Sequence, residues 1–469
     1  MLVLSADVQD ALTQQVFYPT PPSDSIAKIP LVERPRRKRF GRGALELALA
    51  EAVPFSFNRY VQHTDFAQVD WQSTGHNLNP ANWRYDSDDF GTNNFSHPYH
   101  GSLYYNSFRS NGYSFWQSVP ATAIGSYIWE TFGENEAPSP NDFINTTFGG
   151  IVLGEMTHRL ANKIVNNRRR GFRRQVNEVV AFLINPMNGL NRIIDGRWGR
   201  RMNNSVETDS SKIYAEFDIG QRKFNTGNQV PPRFGWYGHI KFLYGTPFQN
   251  YRKPFSNISI NVEAGHDDSS LINVVSVYGS LAGWEIIDNE RMQSYAILSA
   301  NYDYIHNEAF FYGAQSVKIN IISNYGLMRK AKISTAGSAG ITLLAAIPDA
   351  YKYGIRPYDY GSGINISGSA GLSLLDKFYF GINYGGGWVV TLNGNPSHYY
   401  LHTVTSEARY TFMKNLSACV EPGYFTLRGH YKDLPDVNKS YPYLRVSLRY
   451  HLNARQLKFD EEKTTKMKQ

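Results

Sequence analysis

The stretch Leu444–Leu452, LRVSLRYHL, alternates apolar and polar side chains along its whole length. Successive side chains of a β-strand point to opposite faces, so the stretch predicts a strand with one apolar face and one face that carries arginine, serine and histidine. The earlier stretch Asn257–Gly265, NISINVEAG, has the same two-residue period. The pattern therefore indicates extended β structure from about residue 205 onward.

Segments of this kind recur as far as residue 452. They are Lys212–Phe224, Phe234–Tyr244, Asn257–Gly265, Leu271–Ile286, Ala296–Tyr304, Val317–Tyr325, Lys332–Ala345, Gly363–Leu375, Phe378–Leu392, Leu401–Phe412, Leu416–Leu427 and Leu444–Leu452. Many of them reach the roughly 9–11 residues that a tilted strand needs to cross a bilayer. Their polar sides carry Glu, Lys, Arg and His, and their apolar sides carry Tyr and Trp near the ends, as in the aromatic girdles of outer-membrane barrels.

Strand length decides between the possible β folds. A soluble β-sandwich or a lipocalin-like barrel would not need so many strands of bilayer-crossing length. The predicted fold is therefore mainly β, a transmembrane antiparallel β-barrel of about twelve strands. A small helical domain precedes it.

The composition excludes several other classes of protein. Aromatic residues make up 14% of the 469 residues, which is more than a disordered chain carries. The mean hydropathy is −0.42, and no stretch approaches the roughly 20 consecutive apolar residues of a membrane-spanning helix. Cys419 is the single cysteine, so an intramolecular disulfide and a thiolate metal site are both excluded.

The chain is basic, with 48 Lys and Arg against 40 Asp and Glu, and the positive charge is clustered. The clusters are Arg34, Arg36, Arg37, Lys38, Arg39 and Arg42; then Arg168, Arg169, Arg170, Arg173 and Arg174; then Arg197, Arg200 and Arg201. No nucleic-acid motif accompanies them, so nucleic acid is not an expected partner. A solvated or headgroup-facing surface and a specific contact with an anionic lipid or glycan both fit the clusters. The second cluster is the predicted site for an anion or lipid.

The charge and period changes divide the chain into four predicted regions. Residues 1–42 are a flexible basic leader, whose residues 1–6 resemble the remnant of a signal peptide. Residues 43–204 form the helical domain, residues 205–452 the barrel, and residues 453–469 a charged tail. Within the helical domain the expected elements are a short helix at Gly43–Ala52, a structured loop at Asn58–Asn94, and helices at Pro98–Gln117, Val119–Glu134, Pro140–Val165 and Arg173–Ile184.

Two local signals in the helical domain have structural explanations. Ser139 and Pro140 fit the cap and first position of a helix, and Asp142 fits the acid of a capping box. Gly150 and Gly154 lie on one helix face, where they predict the close approach of another backbone. These residues are expected to serve the architecture rather than chemistry.

Several short motifs follow one another in the helical domain: HPYHGSLYY at 97–105, RSNGY at 109–113, GSYIWE at 125–130, PSPND at 138–142 and GGIVLGE at 149–155. This succession resembles a family of Gram-negative envelope proteins known only as domain of unknown function 3943. The resemblance covers the chain from about Arg39 to about Arg159. It implies a place in the envelope, here the cell outer membrane, and implies no particular activity.

The candidate catalytic residues are His97, His100, Arg109, Glu130 and Glu134. Each carries a charge or a titratable ring without a partner that local spacing supplies, and such groups pair across segments or bind a ligand when buried. The structural alternatives are packing or hydrogen bonding for the histidines and a solvated helix end for the two glutamates.

Metal and cofactor chemistry find little support in the sequence. Glu155 and His158 have the spacing of a carboxylate-bridged di-metal bundle, but the second such motif is missing, so no metal and no cofactor is expected. Arg159 fits an i, i+4 ion pair with Glu155.

Three functional hypotheses remain open at this stage. The favoured one is an outer-membrane barrel with a structural, transport or interaction role, whose helical domain is periplasmic or plugs the lumen. The second is a lipid-modifying enzyme, an acyl hydrolase acting on lipid A or phospholipid, for which Ser107 is the obvious nucleophile but needs a base from another segment. The third is an open porin. The expected partners are outer-membrane lipid or lipopolysaccharide, and envelope proteins.

Overall fold

The fold is that of a computed structural model, which describes residues 37–165, 171–200, 213–224, 233–248, 253–265, 271–289, 291–306, 311–328 and 330–453. The described residues fall into two compact units, one helical within Asp24–Ser210 and one β within Ser211–Gln469. Among the described helices, none combines the length and the apolar character needed to cross a membrane. The predicted signal-peptide remnant at 1–6, most of the predicted leader and almost all of the predicted tail lie outside the described residues.

The β unit is a closed barrel, in which all the described strands pair with antiparallel neighbours and β1 pairs with β12. The strands are β1 Ile213–Phe224, β2 Arg233–Tyr244, β3 Ile258–Gly265, β4 Ile272–Asp288, β5 Met292–His306, β6 Phe311–Met328, β7 Ala331–Tyr353, β8 Arg356–Leu374, β9 Phe378–Asn393, β10 Ser397–Met413, β11 Leu416–Tyr431 and β12 Val437–Asn453. The predicted antiparallel barrel of about twelve strands is confirmed.

The exposure of β12 is inverted relative to a water-soluble barrel. Val446 and Leu448 are 50% and 54% exposed, whereas Arg445, Ser447 and Arg449 are buried. The two-residue period predicted in the sequence therefore places the apolar face outward and the charged face inward. An outward apolar face is favourable where lipid replaces water, so this strand has the exposure of a transmembrane barrel.

Exposed aromatic side chains form two bands on the outer surface. The band near the rim where β1 begins contains Trp284, Phe378, Phe380, Tyr410, Phe412 and Tyr450, and the band toward the opposite rim contains Phe234, Trp236, Trp388 and Tyr424. Tyr424 pairs with Pro442. The path along β12 from Pro442 to Tyr450 covers about 20 Å of the barrel axis at about 3.3 Å per residue and a tilt of about 40°. That separation suits girdles at the two faces of a bilayer.

The outward apolar face is not uniform around the barrel. Ile260 of β3, which the alternation predicts to face lipid, is only 7% exposed. The two-residue period determines which face a side chain takes, but it does not determine what covers that face.

Charged side chains pair inside the barrel. Arg449 of β12 donates through Nε to Asp218 of β1 at 2.7 Å, through Nη1 to Glu407 of β10 at 3.0 Å, and through Nη2 to Glu421 of β11 at 2.9 Å. His239 of β2 contacts the other oxygen of Asp218 at 3.0 Å. One guanidinium thus links β12 to three other strands, because inward-pointing charges in a low-dielectric interior need partners.

The helical unit contains eight described α-helices: α1 Phe40–Phe57, α2 Trp71–Asn77, α3 His97–Arg109, α4 Phe115–Ile128, α5 Pro140–Ile144, α6 Gly150–Ile164, α7 Phe172–Ile184 and α8 Pro186–Ile194. A 3₁₀ turn spans Pro80–Asn82, and π-helical turns span Asn58–Gln62, Thr92–Ser96, Trp129–Gly133 and Asn145–Gly149.

The predicted helix bounds differ from the structure at several places: the helix predicted at Gly43–Ala52 spans Phe40–Phe57, the one predicted at Val119–Glu134 begins at Phe115, and α8 was not predicted. Two further differences have a local cause. The predicted helix Pro98–Gln117 is divided between α3 and α4, because Gly112 adopts a φ of 92° and Ser114 begins a new helix by capping the backbone N–H of Gln117. The predicted loop at Asn58–Asn94 contains the helix α2, which is held by a capping box between Asp70 and Ser73. A cap without an accompanying apolar period gives only a weak sequence signal.

The crossing of α3 and α6 explains the predicted glycines. A Cβ atom on Gly150 would lie 2.6 Å from the Cα atom of Gly101, and one on Gly154 would lie 2.6 Å from the ring of Tyr105. The two backbones therefore touch at Gly150, at a distance that only glycine allows, and the predicted close approach of another backbone is confirmed there. At Gly154 the close neighbour is a side chain.

Candidate functional site in the helical unit

His97, the first residue of α3, points toward polar groups of α5 and of the π-helical turn that follows α5. Its Nε2 atom lies 3.5 Å from Oδ1 of Asp142, and its Nδ1 atom lies 3.2 Å from Oγ1 of Thr146. Burial lowers the pKa of His97 to about 4, although the charge of Asp86 opposes that shift. The imidazole is therefore neutral at physiological pH and contributes hydrogen bonds rather than charge.

Asp142 and Asp86 form a carboxyl pair beside His97. Their side chains are hydrogen-bonded to each other, and Oδ1 of Asp86 accepts further hydrogen bonds from Nδ2 of Asn93 at 2.7 Å and of Asn141 at 2.9 Å. Burial, followed by the negative charge of Asp86, raises the pKa of Asp142 well above its ordinary value. A hydrogen bond between two carboxyl groups requires a proton on one of them, and the raised pKa of Asp142 favours that residue as the one that carries it.

Glu130, rather than Asp142, accepts the hydrogen bond from the backbone N–H of Ser139 at the start of α5. Ser139 Oγ accepts the backbone N–H of Asp142 at 3.3 Å, as predicted, but the backbone N–H of Ser139 donates to Oε2 of Glu130 at 2.8 Å. The assignment of Asp142 as the acid of a capping box is therefore wrong. In a capping box the side chain three positions along the helix accepts the N–H of the capping residue. Here tertiary packing places Glu130 against the N–H of Ser139 instead.

Glu130 and Glu134 do not form the solvated helix end that was considered for them. Trp129–Gly133 is a π-helical turn, after which Glu134 is extended and accepts a hydrogen bond from Nε1 of Trp129 at 2.6 Å. Burial, followed by the charge of Glu134, raises the pKa of Glu130 well above its usual range. Burial likewise raises the pKa of Glu134 to about 8.

We call Asp86, Asp88, Glu130, Glu134 and Asp142 the carboxyl cluster. Asp88 lies at its exposed edge, where partial burial and then the charge of Asp86 raise its pKa to about 6. Desolvation is the largest cause of every raised pKa in the cluster, and neighbouring carboxylates add to it. Glu134 and Asp88, whose pKa values are raised to about 8 and about 6, are therefore the members of the cluster that can take up or release a proton around neutral pH.

The carboxyl cluster does not have the arrangement of a metal centre. Across the part of the chain that the structure describes, no group of three or more His, Cys, Asp or Glu residues is placed to hold a metal ion.

Three of the π-helical turns contribute to or border the cluster: Thr92–Ser96, Trp129–Gly133 and Asn145–Gly149. Such turns are frequent at functional sites because they add a residue and re-aim the side chains that follow.

His100 lies one helical turn beyond His97 and joins a different group of residues. Its Nε2 atom lies 3.0 Å from the backbone oxygen of Ala50, and its ring lies 5.0 Å from that of Trp129. The adjacent Tyr104 hydroxyl donates to Glu51 at 2.8 Å. His100 therefore has the packing and hydrogen-bonding contacts considered for it as the structural alternative.

Arg109 lies at the other end of α3, about 18 Å along the axis from His97. It donates to Glu155 through Nε at 2.7 Å, and Arg159 donates to the second oxygen of Glu155 at 2.8 Å. Although burial opposes the shift, these two guanidinium groups hold the pKa of Glu155 below its usual range. The predicted Glu155–Arg159 pair is confirmed, and the structure does not bring Arg109 to the carboxyl cluster.

Ser107 does not provide a free hydroxyl for the hydrolase hypothesis. Its Oγ atom is buried and donates to the backbone oxygen of Tyr104 at 2.6 Å. A serine nucleophile needs a base within hydrogen-bond reach and an accessible oxygen. Ser107 meets neither requirement, because its hydroxyl is buried and bonded to a backbone oxygen.

The predicted anion- or lipid-binding arginines divide into three groups. Arg168, Arg169 and Arg170 lie outside the described residues, and Arg173 is exposed. Arg174 departs from the expected exposed cluster, because its guanidinium group is buried against Glu178 at 2.6 Å. Residues next to one another on a helix point in different directions, so a run of arginines along the sequence need not form one surface.

Sequence reasoning missed Asp86 and Asn141 as site residues. Asp86 belongs to the run YDSDDF at 85–90, and Asn141 lies in PSPND. Acidic clustering was the available signal in the first run, but it resembles a solvated loop when no apolar period surrounds it.

A known protein family matches the part of the helical unit that contains the carboxyl cluster. Residues 82–187 match the model of the family described as Domain of unknown function (DUF3943). This confirms the resemblance found in the motifs. The DUF3943 region includes the carboxyl cluster, the α3–α6 crossing and the Arg109–Glu155–Arg159 group. No curated protein matches the chain.

Solved structures of outer-membrane channels are similar to about half of the chain. The NanC porin has 10% sequence identity and a TM-score of 0.31, and the match covers 50% of this chain and 100% of the porin. The outer membrane channel DcaP of Acinetobacter baumannii has 7% identity and a TM-score of 0.26, with 52% and 97% covered. The anion-selective porin from Comamonas acidovorans has 8% identity and a TM-score of 0.26, with 52% and 99% covered.

Proposed function

We propose that this protein is an outer-membrane β-barrel of the Gram-negative envelope with a structural or interaction role. The observation that carries the proposal is the inverted exposure of β12, in which leucine and valine side chains face outward and arginines face inward. Closed antiparallel barrels with an even number of strands and aromatic girdles are the β structures that span the outer membrane. The predicted position of the helical unit, periplasmic or in the lumen, stays a prediction.

The interior contacts favour a barrel that is not a permanently open pore. Glu263 of β3 is fully buried and is contacted both by Arg222 of β1 and by Arg445 of β12. The Arg445 guanidinium also lies 4.1 Å from the ring centroid of Tyr237. Side chains of several strands therefore converge in this part of the lumen and pair with one another.

A cluster of buried apolar and aromatic side chains lies in the half of the barrel nearer the rim where β1 ends. The buried cluster there consists of Val274, Ile305, Tyr312, Ala314, Ala345, Ile347, Val389, Tyr399, Leu401, Phe425, Leu427, Tyr431, Tyr441 and Tyr443. The Tyr431 hydroxyl of β11 donates to Asp349 of β7 at 2.7 Å, although these strands are not neighbours. The Tyr351 hydroxyl of β7 donates to the backbone oxygen of Pro435 at 2.9 Å. Contacts between distant strands support a structural or interaction role over that of an open porin.

The localisation is tested by fractionating cells that express the full chain and by running the outer-membrane fraction on gels with and without heating. We expect the protein in that fraction with a heat-dependent mobility, because a closed barrel resists unfolding by detergent until it is heated. Recovery as a water-soluble monomer that needs no detergent would contradict the proposal.

A further inference from the structure

The last two helices of the helical unit expose a continuous apolar pattern. On α7 the exposed side chains include Phe172, Val176, Val179 and Leu183, whose spacing places them on one helix face. Phe172 is 83% exposed and Leu183 is 68% exposed. On α8 the exposed apolar side chains are Leu190, Ile193 and Ile194. We call α7 and α8, which Asn185 connects, the α7–α8 hairpin.

Several polar residues of the α7–α8 hairpin are buried instead. Glu178 is 1% exposed and accepts hydrogen bonds from Arg174 and, at 2.8 Å, from Arg192. Asn188 donates to Asn162 of α6 at 3.1 Å, and Asn191 donates to Glu46 of α1 at 3.2 Å. The hairpin thus uses its polar side chains to attach to the helical unit and leaves its apolar side chains outward, which is unfavourable in water and favourable against lipid.

The charge around the hairpin identifies the chemistry of the surface that would cover it. From Asn166 to Arg201 the sequence contains nine arginines and two acidic residues: Arg168, Arg169, Arg170, Arg173, Arg174, Arg192, Arg197, Arg200, Arg201, Glu178 and Asp195. Both acids are already paired, Glu178 as described and Asp195 with Arg42 at 2.8 Å and Arg197 at 2.9 Å. Arg173 and Arg200 are exposed. The outward charge is therefore positive, as in helices that lie on anionic membranes.

We propose that the α7–α8 hairpin docks on the surface of an anionic lipid leaflet. Its apolar face enters the boundary between headgroups and acyl chains, and Arg173 and Arg200 contact lipid phosphates, for which guanidinium groups have a matching geometry. This proposal rests on the proposed function in one respect: a barrel in the outer membrane places a lipid surface beside the protein. It concerns the helical unit, whereas the proposed function rests on the barrel.

The test places an environment-sensitive fluorophore on a cysteine that replaces Leu183 in the full chain. The single native cysteine, Cys419, is buried and is replaced by serine. The protein is reconstituted in vesicles of phosphatidylcholine alone or with phosphatidylglycerol, each with and without lipids that carry a quencher at the headgroup boundary. Ile124→Cys is the matched control, since Ile124 on α4 is also exposed but lies outside the arginine-rich segment.

We expect the label at Leu183→Cys to be quenched in vesicles that contain phosphatidylglycerol, and the label at Ile124→Cys to be quenched weakly. Arg173→Gln combined with Arg200→Gln is expected to lower the docking equilibrium about 30-fold, since each arginine near an anionic surface contributes to its affinity. The heat-dependent gel mobility of each sample reports barrel insertion independently of docking.

Three results would overturn the proposal. The first is the absence of lipid quenching at Leu183→Cys while the barrel is inserted. This includes the case in which the label is shielded from water but not quenched, because a protein surface would then cover the hairpin. The second is equal quenching at Ile124→Cys. The third is equal quenching in phosphatidylcholine alone, which would remove the role of the arginines. Failure of barrel insertion would instead contradict the proposed function.

Discussion

At the scale of single residues, Glu134 is held in a state that depends on pH. Its pKa in the folded helical unit is raised to about 8 by burial, whereas an unfolded glutamate has a pKa of about 4.3. The folded state binds more protons between these values, so the free energy of unfolding of the helical unit falls as the pH rises through this window. The stabilisation by protonated Glu134 is complete below about pH 4 and is lost above about pH 8.

The prediction is that Glu134→Gln flattens this decline, because glutamine cannot ionise and can still accept the hydrogen bond from Trp129. The free energy of unfolding is measured by denaturant titration of the full chain in detergent, at about pH 5 and at about pH 8. Helical ellipticity monitors the unfolding of the helical unit. Asp65→Asn, at an exposed position that is not a member of the carboxyl cluster, is the control and should keep the decline. A decline that is equally steep in Glu134→Gln would show that Glu134 does not cause it.

Gly150 gives a second prediction at this scale. Gly150→Ala should destabilise the helical unit by about 1–3 kcal/mol or more, because the added methyl group overlaps the backbone of Gly101 and overpacks the crossing. Unfolding of the full chain by denaturant measures the change. Gly75→Ala is the matched control, since nothing lies within 4 Å of its added methyl group. Equal stability of the two variants would mean that α3 and α6 do not touch at Gly150.

At the scale of the element, the two faces of β12 should respond differently to the same charge. Leu448→Arg places a guanidinium group in the middle of the outward apolar face, where an arginine costs about 2–4 kcal/mol in lipid. Less folded barrel is therefore expected, as seen from the heat-dependent gel band. Leu434→Arg is the control, because Leu434 is 37% exposed in the turn between β11 and β12. Similar folding of both variants would place β12 outside the membrane-spanning belt.

At the scale of the whole molecule, the filled lumen predicts little ion flow through the barrel. The full chain in a planar bilayer should give no stable large conductance, since ion pairs and buried aromatic side chains both lie inside the barrel. Changing Arg222, Glu263 and Arg445 together to serine removes both partners of these ion pairs at once, and should increase the conductance. The outward double variant Val446→Ala with Leu448→Ala should not. A stable porin-like conductance in the unaltered protein would contradict the closed lumen.

The sequence by itself determined the features that depend on residues close together in the chain. The alternation in Leu444–Leu452 required only the backbone period of a strand, so it predicted the barrel and the outward face of β12. Ser139 was recognisable as a helix cap, and Gly150 and Gly154 as a close crossing, because each signal is complete within a few residues. The pairing of Glu155 with Arg159 followed in the same way from helical spacing.

The tertiary structure alone decided which distant groups meet. Glu130 takes the Ser139 N–H group that local spacing assigns to Asp142, and Asp142 joins Asp86 instead. Arg109 and His97 share a helix but belong to different groups, and Arg174 is buried although its neighbour Arg173 is exposed. The physical reason is that the backbone period determines the direction of a side chain, whereas its partner, its burial and hence its pKa depend on which segments pack against it.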